Sequence, residues 1–204
     1  MVKKLKNKNM KKINILLGAG GHAKVVYDIL KKKGLSIDTV VDPKKKIDLY
    51  FKKTKHLLNE NDILKNFSPD TCNIIMGLGS TDRKSILLRK KIFYKFNKKG
   101  FNFLKVIHNF SYISETSNLS EGVQVFAGSI IQPSCNIGEN TIINTKVSID
   151  HDCDIKSNCH IAPGVTLCGG VKIGKDSIIG AGAILLPNTK LPSNSFVKAG
   201  ICVN

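Results

Sequence analysis

The sequence predicts a small α/β domain of Rossmann type followed by a parallel β-helix, and three observations carry that reading. From Ile107 to Val197 an aliphatic residue falls on every sixth position without a miss. Four places after each of the first fifteen stands a small or β-branched residue, from Ser111 through Cys135, Val147 and Cys159 to Ser195. Ahead of this array, short apolar runs that end in glycine alternate with helical patterns. A fixed six-residue period marks a hexapeptide β-helix, and strand–helix alternation marks a parallel α/β sheet.

The period dictates the geometry of the repeat. Each hexad makes one short strand and one corner, and three hexads close a triangular turn. The span holds about five turns, roughly 25 Å at ~4.8 Å per strand. The large aliphatic residue fills the prism, and the small one points inward near a corner that a bulky side chain would not fit. Gly138-Glu139-Asn140, Pro163-Gly164 and Gly169-Gly170 supply corner residues, some at φ > 0. A helix is excluded, because the period is six rather than 3.6.

The first half reads as its own unit, residues 1–105, with the β-helix over 106–204. Residues 1–9 form a basic arm. A strand over 12–17 ends in Gly18-Ala19-Gly20-Gly21-His22, and a helix from Ala23 to Lys33 follows, with Val25, Val26, Ile29 and Leu30 on its apolar face and Gly34 as its stop. A second strand over 36–41 ends in Asp42-Pro43, and a third over 73–76 ends in Gly77-Leu78-Gly79. A helix over about 81–98 carries Ile86, Leu87, Ile92 and Phe93, and a last strand over 103–107 enters the coil. Glycines between a strand and a helix let backbone approach a phosphate at the helix N-terminus. The loop is also compatible with a plain turn. Ala23 and the lack of a second nucleotide-binding half set it apart from the dinucleotide fingerprint of hydride-transfer enzymes. Asp42 is placed to accept hydrogen bonds from a ribose or a base.

Charge and cysteine usage bound the partners. The net charge is +17 over 204 residues, yet residues 1–105 hold 26 Lys+Arg against 8 Asp+Glu while residues 106–204 hold 6 against 7. The excess lies on helix faces and runs such as Lys31-Lys32-Lys33 and Lys44-Lys45-Lys46, with two arginines and no tryptophan. Nucleic-acid surfaces draw on arginine and aromatic residues, so the excess reads as a solvated surface that attracts anionic substrates. No signal peptide and no span of ~20 apolar residues is read, and the expected location is cytoplasmic. Cys135, Cys153 and Cys159 take the small inward position and read as reduced core filler, while Cys168 reads as packing.

Three histidines lie in or beside the coil. His108 reads as structural. His151, in Asp150-His151-Asp152, sits at a corner where its side chain leaves the prism, and His160, directly before Ile161, also points outward. A histidine held by a carboxylate suits a general base. Asp150, His151, Asp152, Asp154 and His160 are alternatively a donor set for a metal.

Gly18-Ala19-Gly20-Gly21-His22-Ala23-Lys24-Val25-Val26, Val41-Asp42, Ile107-His108 and Asn144-Thr145 followed by Ile149-Asp150-His151-Asp152-Cys153, together with the hexads, resemble the sialic acid O-acetyltransferase-like family. The similarity is greatest to bacterial N-acetyltransferases acting on nucleotide-linked 4-amino-4,6-dideoxy sugars, of the UDP-N-acetylbacillosamine type. The resemblance implies a homotrimer of left-handed β-helices in glycan biosynthesis, acetyl-CoA as co-substrate, and a UDP-linked amino sugar as acceptor. It implies His151 as general base held by Asp152, and His160 at the thioester. It further implies the Gly169 N–H at the oxyanion, Ala181 and Ala199 along the CoA groove, and Asn144 by the amine. Gly20, Gly21, His22, Asp42, Pro43 and Gly79 would hold the nucleotide. No metal is expected. Relatives often carry Glu where Asp152 stands, and their Gly-x-Pro-Ala-Lys tail is missing here. The alternatives are O-acetylation of a sialic-acid-like sugar and a metal-dependent β-helix hydratase.

Overall fold

The computed structural model describes residues 12–204, so the basic arm expected over 1–9 lies outside the described residues. The first half runs β1 (Ile13–Leu17), α1 (Gly21–Lys32), β2 (Thr39–Val41), β3 (Lys55–Leu57), α2 (Asn61–Asn66), β4 (Cys72–Met76) and α3 (Arg83–Asn97). Its strands are all parallel, in the order β3-β2-β1-β4. Both β1 and β4 are almost wholly buried, as strands covered on both faces must be. α1 packs Ala23, Val26, Ile29 and Leu30 inward, and Gly34 at φ +73° ends it. α3 starts with a capping box between Asp82 and Ser85.

Several expectations need correction. Val25 and Leu87 are 44% exposed; the inner faces use Ala23 on α1, and Arg89 and Phe96 on α3. β3 and α2 have no counterpart in the sequence reading, because each is too short to show a period. Phe103 makes only a single bridge to Ile74, and the strand entering the coil is confined to Val106–Ile107.

From Val106 onward the chain is a left-handed parallel β-helix of seventeen two-residue strands, in sheets of six, six and five. Each strand pairs with the one eighteen residues on, as Ile143 with Ile161 and Ile149 with Leu167. The sixth-position aliphatics from Val125 to Leu185 are buried, with Cys135, Val147, Cys153, Cys159, Val165 and Ala183 between them. The six cysteines are free thiols. At fourteen consecutive corners, from Gly122 to Gly200, the residue three after the inward aliphatic has positive φ, and glycine, asparagine or aspartate fills twelve of them. These residue types tolerate the left-handed region. At the residue before it, no backbone N–H donates to another backbone carbonyl among the described residues, and prolines 133, 163 and 187 stand there without losing a bond.

The three outward faces differ in what covers them. One presents Gln124, Ile142, His160 and Ile178 to the N-terminal domain and is buried there. A second presents Asn118, Asn136, Asp154, Lys172 and Lys190. The third presents Tyr112, Ile130, Ser148, Thr166, Ile184 and Cys202, carries no charge, and is uncovered; its Tyr112 is 57% exposed. α3 runs along the corner between the charged face and the buried one. Asn97 donates to Glu121 (3.0 Å), Tyr94 to Glu139 (2.6 Å), and Asn158 to Tyr94 (3.4 Å). Lys90 pairs with Asp176 (2.6 Å), and Arg83 donates to the Asp176 carbonyl (3.2 Å) and to Asn194.

Lys146 holds a corner at φ +57° without the backbone freedom of glycine. Lys146→Gly is expected to stabilise the fold by about 1 kcal/mol, raising the thermal midpoint by roughly 2–4 °C in a calorimetric scan. An unchanged or lowered midpoint would show that these corners carry no strain.

Candidate active site

The corner after the uncovered face carries Pro133, His151, Gly169 and Pro187, one per turn of the coil. His151 therefore lies directly over Gly169. A Cβ on Gly169 would come within 2.7 Å of His151 Cε1 and 2.9 Å of Nε2, so glycine is the floor on which the ring rests. Asp152, next in the chain at φ +60°, turns its carboxylate back to the ring, with Oδ2 2.7 Å from Nδ1. Asp is thus long enough for that contact. Asp150 accepts from the His151 N–H at 2.8 Å. In the neutral ring Nδ1–H donates to Asp152, and Nε2 is left with a free lone pair. The Asp152 hydrogen bond and then the Asp150 charge raise the His151 pKa above its ordinary 6.5. The Gly169 N–H has no acceptor among the described residues. Asp150, His151, Asp152, Cys168, Gly169, Gly170, Pro187 and Asn188 line an open hollow of about 380 Å³ here.

The other two histidines expected in the site have a different environment. His160 leaves the prism, but onto the N-terminal domain: it is buried, 5% exposed. Its Nδ1–H donates to the Ser80 carbonyl, and its Nε2 accepts from Asn144 Nδ2 at 3.1 Å. His22 is turned from the glycine loop to Gln124, at 2.7 Å, and packs on Phe126. Gln124 in turn donates to the Met76 carbonyl at 2.5 Å. Burial, with Arg89 adding its charge, lowers both pKa values to about 4. At neutral pH both rings are therefore neutral and too weakly basic to hold a proton. His22 is a seam between the domains, and a Cβ added at Gly79 would lie 3.4 Å from His22 Cβ and 3.6 Å from its ring.

Asn144, Ala181 and Ala199 lie on the opposite edge of the uncovered face from His151 and Gly169. A hexad of extended chain, roughly 15–20 Å, separates the two edges. One chain therefore does not bring Ala181 and Ala199, both exposed, to Gly169. Among the described residues no group of three or more His, Cys, Asp or Glu side chains could hold a metal.

The carboxyl ends of β1, β2 and β4 form two adjoining hollows. Gly18, Asp42, Pro43, Lys44, Leu58, Glu60, Leu78, Leu88 and Ile92 help line a mainly apolar one of about 290 Å³. Ala19, Gly20, Gly21, Lys24, Lys44, Lys46, Ile47 and Asp48 line one of about 400 Å³. Such a crevice is where open α/β sheets bind ligands. An added Cβ at Gly20 or Gly21 would meet nothing, and neither has positive φ. Packing gives no reason for either glycine. The α1 N-terminus has no side-chain cap and no acidic residue in its first turn. Asp42 holds the loops, accepting from the Ala19 N–H (2.8 Å) and the Lys44 N–H (3.0 Å). Lys24, Lys44 and Lys46 escaped the sequence reading as part of a charged surface, although Lys44 follows Asp42-Pro43 directly.

Comparison with known proteins bears on the fold and the family. Residues 13–96 match the PglD N-terminal domain model, and residues 134–169 and 152–187 match the bacterial transferase hexapeptide (six repeats) model. No curated protein matches in sequence comparison. Among solved structures, PerB from Caulobacter crescentus in complex with CoA and GDP-perosamine is similar at 30% identity, over 94% of this chain and 88% of that one, with a TM-score of 0.82. The acetyltransferase domain of PglB from Neisseria gonorrhoeae, in complex with acetyl coenzyme A, is similar at 25% identity over 95% and 93%, TM-score 0.83. WeeI from Acinetobacter baumannii, at 18% identity and TM-score 0.72 over 95% of both chains, shares the fold.

Gly169→Ala should push the His151 ring off its floor and away from Asp152, returning its pKa toward 6.5. NMR titration of the ring protons reads this directly; a midpoint equal to that of the unsubstituted chain would mean the ring does not depend on Gly169.

Proposed function

We propose a specific reaction for this chain, which belongs to the amino-sugar N-acetyltransferases built from a PglD-type N-terminal domain and hexapeptide repeats: transfer of the acetyl group of acetyl-CoA to the amine of a nucleotide-linked amino-deoxy sugar. The observation that carries it is the His151–Asp152 pair, with Nε2 free above a glycine whose N–H has no acceptor among the described residues. The neutral amine nitrogen bonds to the thioester carbon, and His151 Nε2 takes one of its protons as it attacks. The Gly169 N–H faces the oxyanion that forms. The C–S bond then breaks, and the His151 imidazolium returns its proton to the CoA thiolate. Asp152 stabilises that imidazolium throughout. Positioning supplies the rest, with no enzyme nucleophile.

The carrier proposed is UDP, in line with the motif resemblance, held by the glycine loop and Lys24, Lys44 and Lys46 around its phosphates and by the Asp42–Pro43 hollow around its base. PerB is seen with GDP-perosamine, so both carriers belong in the test. The acting form proposed is a homotrimer. The uncovered apolar face invites a second copy, and its two edges carry complementary halves of the site. A neighbour that seats its Asn144–Ala181–Ala199 edge beside His151–Gly169 completes the cleft.

The test is thiol release from acetyl-CoA with UDP- and GDP-linked amino sugars. His151→Ala should lower kcat by roughly 10²–10⁴-fold. Because the base works deprotonated, the wild-type rate should rise with pH through the raised His151 pKa, level off above it and fall below it. Release that survives the substitution removes His151 from the role; no release with any amino sugar, but release with sialic acids, selects O-acetylation.

A further inference from the structure

Arg89 is the largest wholly buried side chain of the described residues, and nothing in the reaction above uses it. It pairs with no carboxylate among the described residues. Nη1 donates to the Leu78 carbonyl at 2.5 Å, Nε reaches the Asn140 carbonyl at 3.4 Å, and Nη2 has no partner among the described residues. A guanidinium buried without an acid is costly, and a Met or Leu would fill the same space without that cost. The position therefore asks for a use of the charge and of the fork.

The hydrogen bonds around it run in one sense. Asn144 Oδ1 accepts from the Thr145 N–H at 2.8 Å, which fixes Nδ2 as the group facing His160. His160 Nε2 must then be the acceptor, so Nδ1 carries the proton and donates to the Ser80 carbonyl. Ser80 lies two residues beyond Leu78, the carbonyl that Arg89 grips. A second proton on His160 would set N–H against N–H, and Asn144 would have to abandon either His160 or Thr145. The charged or titratable groups acting on His160 are Arg89 from α3 and His22 from α1, among the described residues.

We propose that Arg89 is a positioning residue of the transfer reaction: it grips the Leu78–Ser80 segment, and its charge keeps the His160–Asn144 pair in the hydrogen-bonding sense that presents Asn144 to the acceptor sugar. The proposal rests on the acetyltransferase reading for the place of Asn144 beside the acceptor. Arg89 acts through His160 and touches neither substrate.

The test uses the full chain with Arg89→Met and Arg89→Lys, in two measurements. NMR titration of the histidine rings needs no substrate. The His160 midpoint, held at about 4 in the unsubstituted chain chiefly by burial and further by the Arg89 charge, should rise in Arg89→Met and stay in place in Arg89→Lys. Calorimetry then gives the Kd of the nucleotide amino sugar at pH 5 and pH 8. In Arg89→Met the Kd should weaken more between pH 8 and pH 5 than in the unsubstituted chain, in proportion to the added share of protonated His160 that the titration reads, and Arg89→Lys should follow the unsubstituted chain. A His160 midpoint unmoved in Arg89→Met overturns the proposal, as does binding weakened equally at both pH values in the two variants. Should Arg89→Met fail to fold, Arg89→Gln, which keeps hydrogen-bond donors without the charge, takes its place: a raised His160 midpoint upholds the proposal and an unmoved one overturns it. An unsubstituted chain that transfers no acetyl group defeats the acetyltransferase reading alone, because the titration still reports what Arg89 does to His160.

Discussion

The hydrogen-bonded stacking of residues eighteen apart is the constraint on which everything else depends. Each strand is only two residues long and could not persist alone; it holds because the strand above and the strand below share its ladder. The stacking turns sequence distance into position. Residues eighteen apart share an edge, residues six apart lie on neighbouring sides, and side chains cannot drift from the places this gives them. The corner at positive φ closes each hexad, so the choice of glycine, asparagine or aspartate there is a backbone requirement before it is a chemical one. Asp152 meets both demands. The left-handed backbone that turns the corner also swings its carboxylate back onto His151.

The three histidines His22, His151 and His160 have the same side chain and different chemistry because the fold gives them different surroundings. Two are enclosed at the seam between the domains, in reach of a buried guanidinium, and are held neutral with hydrogen bonds of fixed direction. The third stands at an open corner between two carboxylates and binds a proton more readily than a free imidazole. In the proposed reaction proton transfer falls to the exposed ring, and the enclosed ones keep hydrogen bonds of fixed geometry. The seam does more than join two units. Through His160, which bonds both the Ser80 carbonyl and Asn144, it also joins the glycine-loop domain to the edge of the coil where Asn144 sits.

Most of the coil was legible in the sequence, because its period is fixed and each position has one environment. Ile107 to Val197 gave the inward row, and the small residues four places on gave the second. The first half was legible where an element was long enough to show a pattern, as in β1 and α1, and not where three residues of strand or six of helix leave no period. The face of α3 was misread for a physical reason: Leu87 looks like core and Arg89 like surface, and the partner that reverses them is an edge of the coil more than fifty residues away in sequence. His151, Asp152 and Gly169 come together as a single chain-local cluster. His160 and His22 were read as ligand contacts because nothing in a sequence says which domain will lie against an outward side chain. Ala181 and Ala199 sit on the far edge of the uncovered face for a similar reason, since sequence spacing does not say which chain supplies each edge.

The way α3 lies along the coil has a consequence for how such a chain can change length. Its side chains grip one corner at Glu121, Glu139, Asn158, Asp176 and Asn194, one contact for each turn of the prism. An insertion of six or twelve residues within that stretch would keep every aliphatic residue inward and every corner closed. It would nonetheless rotate the remaining contacts by one or two sides, away from the helix. Only a whole turn of eighteen returns them to the same corner, and even then displaced along it by one strand spacing. The helix thus acts as a ruler laid against the coil. It restricts the lengths open to this molecule to steps three times coarser than its own repeat.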